Sequence, residues 1–378
     1  MKKLLFVITQ FYKGGAEVAL LNLFHHLSPE EYEIDFLIFD QMILKEATSL
    51  IPQIPEWVNV CNAAEPERHL AVVKKIWFKI YRRVTKHQLY RKRAYNFIKG
   101  KEYDAAFSYG EWMSPEFVAQ KVTAKKKMVW IHADIDKACY VDERILFGYD
   151  RAYDRYLFVS EQSCKAAEQA FSLLKGKCSV VHNMCDDQEI HRLAKEPLSV
   201  DDEAFDSYLL SVANLREEKN YPRMIETMKC LCDVGVEARW LCIGSTANVF
   251  ILNKVKSLLA QYQLEDSFIL LGACENPYKY MSRSKAVLVL SDFESWSLVI
   301  TEAKLLGIPV IATKTSGALE QIQDMESGIL VSFEPKDIAN SVKELLENRE
   351  IQEKIRRNLE GFSTQQKTLE EFLSILED

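Results

Sequence analysis

Short apolar runs separated by amphipathic stretches recur along the whole chain. Continuous apolar strands that alternate with helices are typical of parallel sheets covered by helices on both faces. The runs lie at Leu4–Thr9, Ile34–Asp40, Tyr103–Gly110, Lys127–His132, Arg155–Ser160, Cys178–Asn183, Tyr208–Leu215, Ala238–Ser245, Phe268–Gly272, Ala286–Asp292 and Val310–Thr313. The pattern predicts an α/β protein with a Rossmann-like parallel sheet in each half of the chain.

The chain length of 378 residues favours two domains, because a single core rarely grows to this size. The strand–helix rhythm lapses over Asn183–Glu203, an acidic segment that contains Pro197, and we place the connection between the domains there. A breaker at Gly361 and an amphipathic pattern after it predict a final helix. The expected division is a first domain over residues 1–184, a second over 185–361 and a C-terminal helix over 362–378.

Open parallel sheets bind ligands outside the carboxyl ends of their strands. The residues that follow the apolar runs are polar or small, and ordinary turns would explain any one of them better than the whole set. They are Gly14, Gly15, His132, Ser160, Asn183, Lys219, Gly244, Ser245, Gly272 and Glu294. We expect this edge of each sheet to carry the chemistry.

Two glutamates, Glu294 and Glu302, stand eight positions apart around the predicted start of a buried helix at Ser297. Gly307 is a natural stop for that helix. The N–H groups of the first residues of a helix have no acceptor within it, and with the helix dipole they form an anion site. The residues expected to present these N–H groups are Ser297, Leu298 and Val299.

A carboxylate repels an anion but accepts hydrogen bonds from hydroxyl groups. Glu302 lies among Val, Ile, Ala and Leu, where an ionised glutamate is costly unless it has a partner. A phosphate between two hydroxyl-bearing groups would satisfy both glutamates and the helix start. A nucleoside diphosphate sugar is a ligand of this kind.

At this point the sequence resembles a known family. The pair of glutamates is similar to the E-x7-E motif of the family 4 retaining glycosyltransferases of bacterial polysaccharide biosynthesis. Further segments are similar in the family's order and span nearly the whole chain, at Lys13–Leu23, Trp130–Asp134, Phe158–Ala166, Val180–Asn183, Ser211–Tyr221 and Phe268–Met281. The resemblance implies the GT-B fold, in which two Rossmann-like domains face a cleft, and a C-terminal helix that returns to the first domain.

The resemblance also implies roles for particular residues. Glu302 would accept hydrogen bonds from the ribose hydroxyls and Glu294 from the donor sugar, while Lys219 and the backbone of Ser297, Leu298 and Val299 would hold the diphosphate. His132 matches the family histidine near the donor sugar and the β-phosphate. The backbone at Gly14 and Gly15 would approach the phosphate or the acceptor closely. The resemblance thus predicts His132, Lys219 and Glu294 as catalytic residues, and Gly14, Gly15, Asn214, Arg216, Lys219, Gly272, Ser297, Leu298, Val299 and Glu302 as donor-binding residues.

The sequence departs from the family pattern at two positions. The family arginine is replaced by Asn214, which can donate a hydrogen bond but carries no charge, so Arg216 is a candidate to compensate. The usual Glu-Gly-Phe is Glu294-Ser295-Trp296. The triplet Asp134-Ile135-Asp136 has the form of a metal-binding DxD, but GT-B enzymes generally need no metal, and we interpret Asp134 as a helix N-cap.

Charge is distributed unevenly. The formal net charge of −7 speaks against a general nucleic-acid binder. Residues Lys74–Lys101 nevertheless contain eleven Lys and Arg and no Asp or Glu, and Val73–Val84 has the apolar stripe of a helix. Either this helix faces the core with a solvated basic side, or it binds an anionic membrane surface.

The nine cysteines are scattered and include no CxxC pair, so neither a disulfide framework nor a zinc site is indicated. The N-terminal apolar run ends too soon for a signal peptide, and no window reaches the length of a spanning helix. We expect a cytoplasmic enzyme, peripheral on the inner face of the plasma membrane.

The sequence therefore favours a retaining, metal-independent hexosyltransferase without a cofactor. It would move a sugar from a nucleotide sugar, with a UDP-sugar as the expected donor, to a lipid-linked or glycan acceptor in surface polysaccharide assembly. Two alternatives stay open. One is another GT-B-like enzyme of the UDP-N-acetylglucosamine 2-epimerase type, and the other is a non-catalytic sugar-nucleotide-binding partner of another transferase, which the uncharged Asn214 would suit.

Overall fold

The computed structural model of the protein describes residues 1–39, 49–63, 88–111, 114–135, 142–198 and 207–377. They form two compact units. The first consists of Met1–Met184 with Thr368–Asp378, and the second of Cys185–Lys367. Residues 362–367, which the sequence analysis assigned to the returning helix, thus lie in the second unit. Within the described ranges no helix combines the length and the apolar character needed to cross a lipid bilayer.

The first unit is built on a seven-stranded parallel sheet with the strand order β3-β2-β1-β4-β5-β6-β7. Its strands are β1 (Lys2–Ile8), β2 (Tyr32–Ile38), β3 (Asn59–Asn62), β4 (Glu102–Tyr109), β5 (Thr123–Ile131), β6 (Arg155–Phe158) and β7 (Cys178–Val180). Its helices before the second unit are α1 (Gly15–His26), α2 (Gln88–Ile98), α3 (Ser114–Lys121), α4 (Glu143–Phe147) and α5 (Glu161–Ala170).

The second unit is built on a six-stranded parallel sheet with the order β10-β9-β8-β11-β12-β13. Its strands are β8 (Tyr208–Val212), β9 (Arg239–Ile243), β10 (Phe268–Gly272), β11 (Ala286–Val289), β12 (Val310–Thr313) and β13 (Ile329–Val331). Its helices are α6 (Asp187–Ala194), α7 (Tyr221–Asp233), α8 (Val249–Tyr262), α9 (Tyr278–Met281), α10 (Leu298–Leu305), α11 (Ser316–Gln321), α12 (Pro335–Glu347) and α13 (Arg349–Asn358), and α14 (Gln365–Glu377) then leads back to the first unit.

Both sheets are doubly wound, which confirms the predicted fold class. In each sheet the strand order reverses between two central neighbours, β1 and β4 in the first and β8 and β11 in the second. Ligands bind at such switch points, beyond the carboxyl ends of the strands. The topology therefore points to the loops after these four strands.

Aromatic side chains fill one face of the first sheet. The rings of Phe6 and Phe107 stack with their centroids 4.6 Å apart. Phe372 of α14 packs against both and stacks on Trp130 at 5.9 Å, and its own side chain is fully buried. Complete burial of a phenylalanine contributes about 2–3 kcal/mol. Helix α14 is therefore part of the first core.

The sequence analysis missed some short elements. The short strands β3 and β13 were missed, although β7 and β12 are equally short and were predicted. The boundary between the units, at Met184 and Cys185, lies within the acidic segment where we placed the connection, but this segment also contains α6, which begins at Asp187 with Asp186 as a side-chain N-cap. The predicted apolar stripe over Val73–Val84 lies outside the described residues.

Candidate active site

Lys219 and Glu294 meet at the switch point of the second sheet. Lys219 lies in a short 3-10 turn after β8, and Glu294 lies in the loop after β11. The Lys219 ammonium pairs directly with the Glu294 carboxylate, which also accepts a hydrogen bond from the Ser291 hydroxyl at 2.9 Å. The two residues that the sequence assigned to phosphate and sugar are thus side by side and bonded to each other.

Helix α10 follows this loop and begins where the sequence predicted. Leu298 and Val299 are its first residues, and their N–H groups have no acceptor within the helix. Ser297 is the N-cap, but its N–H donates to the side-chain oxygen of Gln321 at 2.9 Å. The prediction that the Ser297 amide would be available to an anion is therefore wrong, because a buried glutamine occupies it.

Glu302 lies in the second turn of α10 and is only 8% exposed. Its carboxylate accepts a hydrogen bond from the hydroxyl of Tyr278, at the start of α9, at 3.0 Å. Burial, together with the nearby Glu302 charge, raises the pKa of Tyr278 well above its usual value, so the phenol keeps its proton. Tyr278 supplies the partner that a buried glutamate requires. Sequence reasoning required such a partner but did not identify it.

Asn214 follows β8 and connects two loops of this edge. Its side-chain oxygen accepts a hydrogen bond from the Ser245 N–H at 2.8 Å. A Cβ at Gly244 would overlap the carbonyl oxygen of Ala213, so the β9 loop can approach the β8 loop only with glycine there. The side chain of Asn214 therefore joins the two loops by a hydrogen bond. The comparison with the family arginine did not suggest this role.

The two remaining residues predicted for the donor site, Arg216 and Gly272, each make one contact with a nearby residue of this sheet edge. Arg216 is exposed, and its guanidinium lies 3.8 Å from the Glu218 carboxylate. Gly272 ends β10 in the left-handed region, with φ +77, and its carbonyl accepts a hydrogen bond from the Gly244 N–H at 2.9 Å. Gly272 thus shapes the edge through its backbone.

In the first unit, the loop after β1 leads directly into α1. Gly14 is the N-cap of this helix, and Gly15 is its first residue. The Tyr109 hydroxyl, at the end of β4, donates to the Ala16 carbonyl at 2.8 Å and fixes the helix start against the neighbouring strand. The predicted glycine pair therefore lies at the switch point of the first sheet.

His132 follows β5 and is enclosed by aromatic rings. Its ring centroid lies 4.4 Å from that of Tyr109, and it stacks on Trp130 at 6.1 Å. Burial lowers the pKa of His132 to about 3. Among the residues that the structure describes, neither ring nitrogen has a hydrogen-bond partner within range. His132 is thus a neutral imidazole at neutral pH, and its two polar atoms are desolvated.

Glu111 is a functional candidate that the sequence analysis missed. It follows β4 and accepts hydrogen bonds from the N–H groups of His132 and Ala133, the second at 2.8 Å. Burial raises the pKa of Glu111, although these bonds act in the opposite direction. The run Tyr103–Gly110 had been assigned as a strand, so the position directly after it was the available signal.

Asp134 is buried and accepts a hydrogen bond from the Ser163 hydroxyl at 2.5 Å. This contact fixes the loop after β5, and Asp136 lies outside the described residues. In the described part of the chain, no group of three or more His, Cys, Asp or Glu side chains is arranged to hold a metal ion.

Part of the chain is similar in sequence to known glycosyltransferases. Residues 200–361 match the family model described as "Glycosyl transferases group 1". The chain is 28% identical over 182 residues to the N-acetylgalactosamine-N,N'-diacetylbacillosaminyl-diphospho-undecaprenol 4-alpha-N-acetylgalactosaminyltransferase of Campylobacter jejuni. It is 29% identical over 145 residues to the N-acetyl-alpha-D-glucosaminyl L-malate synthase of Bacillus anthracis. These matches cover 48% and 38% of this chain, and they span less than half of the relatives' own length, at 47% and 37%.

Solved structures of the same fold extend over both units. A point mutant of S. aureus TarM in complex with Fondaparinux, alpha-GlcNAc-glycerol and UDP superposes with a TM-score of 0.75 at 15% identity and covers 100% of both chains. Anabaena Alr3699/HepE in complex with UDP gives 0.72 at 17% identity and covers 99% of both chains. At these identities the likeness establishes the fold alone, which is the GT-B fold of two parallel-sheet α/β domains.

Proposed function

We propose that the protein is a retaining glycosyltransferase. It transfers a hexosyl group from a nucleotide sugar, with a UDP-sugar as the expected donor, to a lipid-linked or glycan acceptor in surface polysaccharide assembly. The observation that carries this proposal is the cluster of Lys219, Glu294 and Glu302 around the start of α10, within a glycosyl transferases group 1 domain. The relatives support the donor and acceptor classes, since UDP is named in two of the solved structures and diphospho-undecaprenol in one relative's name.

The chemistry follows from the charges at this site. The N–H groups of Leu298 and Val299 and the Lys219 ammonium bind the diphosphate, and Glu302 accepts from the ribose hydroxyls. When phosphate takes Lys219, Glu294 is released from its ion pair and accepts from a hydroxyl of the donor sugar. Binding therefore proceeds by exchange of partners at Lys219.

The transfer step needs no protein nucleophile. The bond from the anomeric carbon to the β-phosphate oxygen breaks, and its electron pair goes to the phosphate. The acceptor hydroxyl attacks from the same face and gives its proton to the leaving phosphate oxygen. Lys219 and the two N–H groups stabilise the charge that develops there. His132 is assigned to the donor sugar and β-phosphate on the resemblance, and as a neutral imidazole it can donate one hydrogen bond and accept another.

A thermal-shift panel of UDP-, GDP-, ADP- and dTDP-sugars tests the donor class. We expect the UDP-sugars to raise the melting temperature most, and donor hydrolysis is then assayed with the best of them. Lys219→Met is the matched control, because it removes the phosphate contact and leaves the ribose contact at Glu302. If no nucleotide sugar shifts the melting temperature of the unaltered protein, the proposal fails.

Retention and metal independence are separate parts of the proposal. The anomeric configuration of the first-formed product, read from its proton coupling constant by NMR, decides the first. Activity after EDTA treatment decides the second, since the proposal assigns charge stabilisation to Lys219 and backbone N–H groups and requires no cofactor. An inverted product, or activity that returns only with added metal, would contradict these parts alone.

We also propose that the protein associates peripherally with the inner face of the plasma membrane through the basic block Lys74–Lys101. Five of the eleven Lys and Arg residues of the basic block are described, and three of these five are bonded within the first unit. Arg91 lies 3.2 Å from Glu116, Arg93 donates to the Ala63 carbonyl at 2.9 Å, and Lys101 lies 2.7 Å from Asp35. Co-sedimentation with anionic vesicles tests the proposal, and binding that salt does not weaken would contradict it.

One observation favours a second candidate function, that of an epimerase. The raised pKa of Glu111 gives the first unit a carboxyl that can hold and release a proton, as an epimerase of the UDP-N-acetylglucosamine 2-epimerase type requires. Incubation with UDP-N-acetylglucosamine in D2O separates the two functions. Deuterium at C2 would favour the epimerase, and its absence together with transfer to an acceptor favours the transferase.

A further inference from the structure

Helix α11 contacts the loop between Glu294 and Ser297 at both of its own ends. At the first end, the Gly317 N–H donates to the Glu294 carbonyl at 2.7 Å. A Cβ at Gly317 would lie 2.7 Å from the Ser295 carbonyl oxygen, so the helix approaches the loop more closely than any other residue type would allow. The other end of the helix is Gln321.

The side-chain amide of Gln321 is buried and uses every one of its donors. Its oxygen accepts from the Ser297 N–H at 2.9 Å. Its nitrogen donates to the Ser297 carbonyl at 2.8 Å and to the Thr301 hydroxyl at 2.9 Å. The opposite orientation of the amide would set NH2 against the Ser297 N–H, so the contacts fix which atom is oxygen.

The backbone of Gln321 is held as well. The Lys304 ammonium donates to its carbonyl at 2.6 Å and lies 4.3 Å from the centre of the Phe362 ring. Burial lowers the pKa of Lys304 to about 8. Lys304 belongs to α10, and its desolvated ammonium holds the last residue of α11 against that helix.

We propose that Gln321 is a positioning residue for donor binding, which holds Ser297 so that the Leu298 and Val299 N–H groups remain aimed at the diphosphate. This inference rests on the proposed function and adds to it a residue that touches no substrate. By taking the Ser297 amide, Gln321 restricts the anion site to two N–H groups. The proposed ribose contact at Glu302 lies one turn further along α10 and does not depend on the hydrogen bonds between Gln321 and Ser297.

The test uses calorimetric titration of the full chain with UDP and with uridine. Gln321→Met has nearly the same volume but can neither accept from nor donate to Ser297. Thr301→Val is the matched control, since it removes one partner of the same amide and leaves both Ser297 bonds in place. We expect the dissociation constant for UDP to rise about tenfold in Gln321→Met, as for the loss of about one charge-assisted contact. For uridine, and for both ligands in Thr301→Val, we expect values within about twofold of the unaltered protein.

Steady-state kinetics gives a second readout that a merely structural role would not move. In Gln321→Met the KM for the donor should rise, whereas in Thr301→Val, which also loses a hydrogen bond of this amide, the KM should stay unchanged. If Gln321→Met does not fold, Gln321→Asn serves instead, because its amide is one methylene too short to reach both Ser297 atoms.

The outcomes separate the two proposals. UDP binding by the unaltered protein with unchanged or tighter binding by Gln321→Met overturns the role of Gln321 alone. Equal losses of UDP and uridine affinity would also overturn it, since they indicate general loosening of the unit. A lack of UDP binding by the unaltered protein overturns the proposed function and this inference with it.

Discussion

The two sheets differ in whether the buried polar groups at the carboxyl ends of their strands have hydrogen-bond partners. In the second unit, Lys219, Glu294 and Glu302 all have partners from the protein. In the first unit, both ring nitrogens of His132 and the side-chain oxygen of Asn183 are buried without a partner among the described residues. The second edge is thus assembled before any ligand arrives, whereas the first carries a desolvation cost that a hydroxyl-bearing ligand could offset.

The largest expected effect comes from breaking the ion pair of the second edge from either side. Lys219→Met should lower kcat/KM by about 10²–10³-fold, because it removes a cation from the developing phosphate charge. Glu294→Gln should also abolish most transfer but should tighten UDP binding by about two- to tenfold, because Lys219 no longer has a competing carboxylate.

Steady-state kinetics and UDP titration on the two variants measure these effects. The double variant distinguishes coupling from independent losses, since its UDP affinity should resemble that of Lys219→Met. Weaker UDP binding by Glu294→Gln would mean that Glu294 orients Lys219 more than it competes with the phosphate.

The next effect concerns the first edge and is read in stability against pH. His132 binds its proton with a pKa of about 3 in the folded protein and about 6.5 when unfolded. The stability tied to its neutral form is therefore complete above pH 6.5 and is lost as pH falls towards 3. The loss is at most about 1.4 kcal/mol per pH unit.

Urea unfolding of the unaltered protein and His132→Phe at pH 7, 5.5 and 4.5 measures this loss. The variant should lose less stability over this range, by up to about 3 kcal/mol at pH 4.5. His132→Gln is a second variant without the titration and should follow the same pH profile. Parallel curves for all three proteins would mean that the histidine is hydrated and titrates normally.

A smaller effect separates the two members of the Glu302–Tyr278 pair. Glu302→Gln should raise the donor KM about tenfold with little change in kcat, because a charged acceptor of the ribose hydroxyls becomes neutral. Tyr278→Phe removes only the competing phenol and should change the KM less than about threefold. Donor saturation curves decide this, and equal effects would mean that Tyr278 itself contacts the donor.

The smallest effect is expected at Asn214. Asn214→Ala leaves the Ser245 N–H without its acceptor and should lower the free energy of unfolding by about 1 kcal/mol. The UDP affinity should stay unchanged. Urea unfolding and UDP titration together test whether Asn214 serves the loop or the ligand, and a loss of UDP affinity alone would favour the ligand.

The sequence predicted the fold well because long apolar strands and helix stops carry a strong periodic signal. Helix α10 illustrates this, since Leu298–Leu305 ends two residues before the positive-φ Gly307. Glu294 and Glu302 could be found because each places a charge in apolar surroundings. Burying such a charge is unfavourable without a partner, so its presence in the sequence indicates a function. Side-chain partners across elements gave no such signal.

Gln321, Tyr278 and Glu111 illustrate contacts that the hydrophobic periodicity of a sequence does not predict. Each acts on a residue at least twenty positions away, and nothing within its own element marks the contact. Gln321 stands at the end of a short helix, where a polar residue is normally solvated. Only the packing of α11 against α10 turns it into an interior amide.

The return of α14 to the first unit has a consequence for synthesis. Phe372 completes the aromatic stack with Phe6 and Trp130, and Glu371 receives a hydrogen bond from the His182 N–H at 3.1 Å. The ribosome makes these residues only after the whole second unit, which takes about 10–40 seconds at ordinary elongation rates. Throughout that interval Phe6 and Trp130 lack their cover, so the half of the protein that is translated first is the half that finishes folding last.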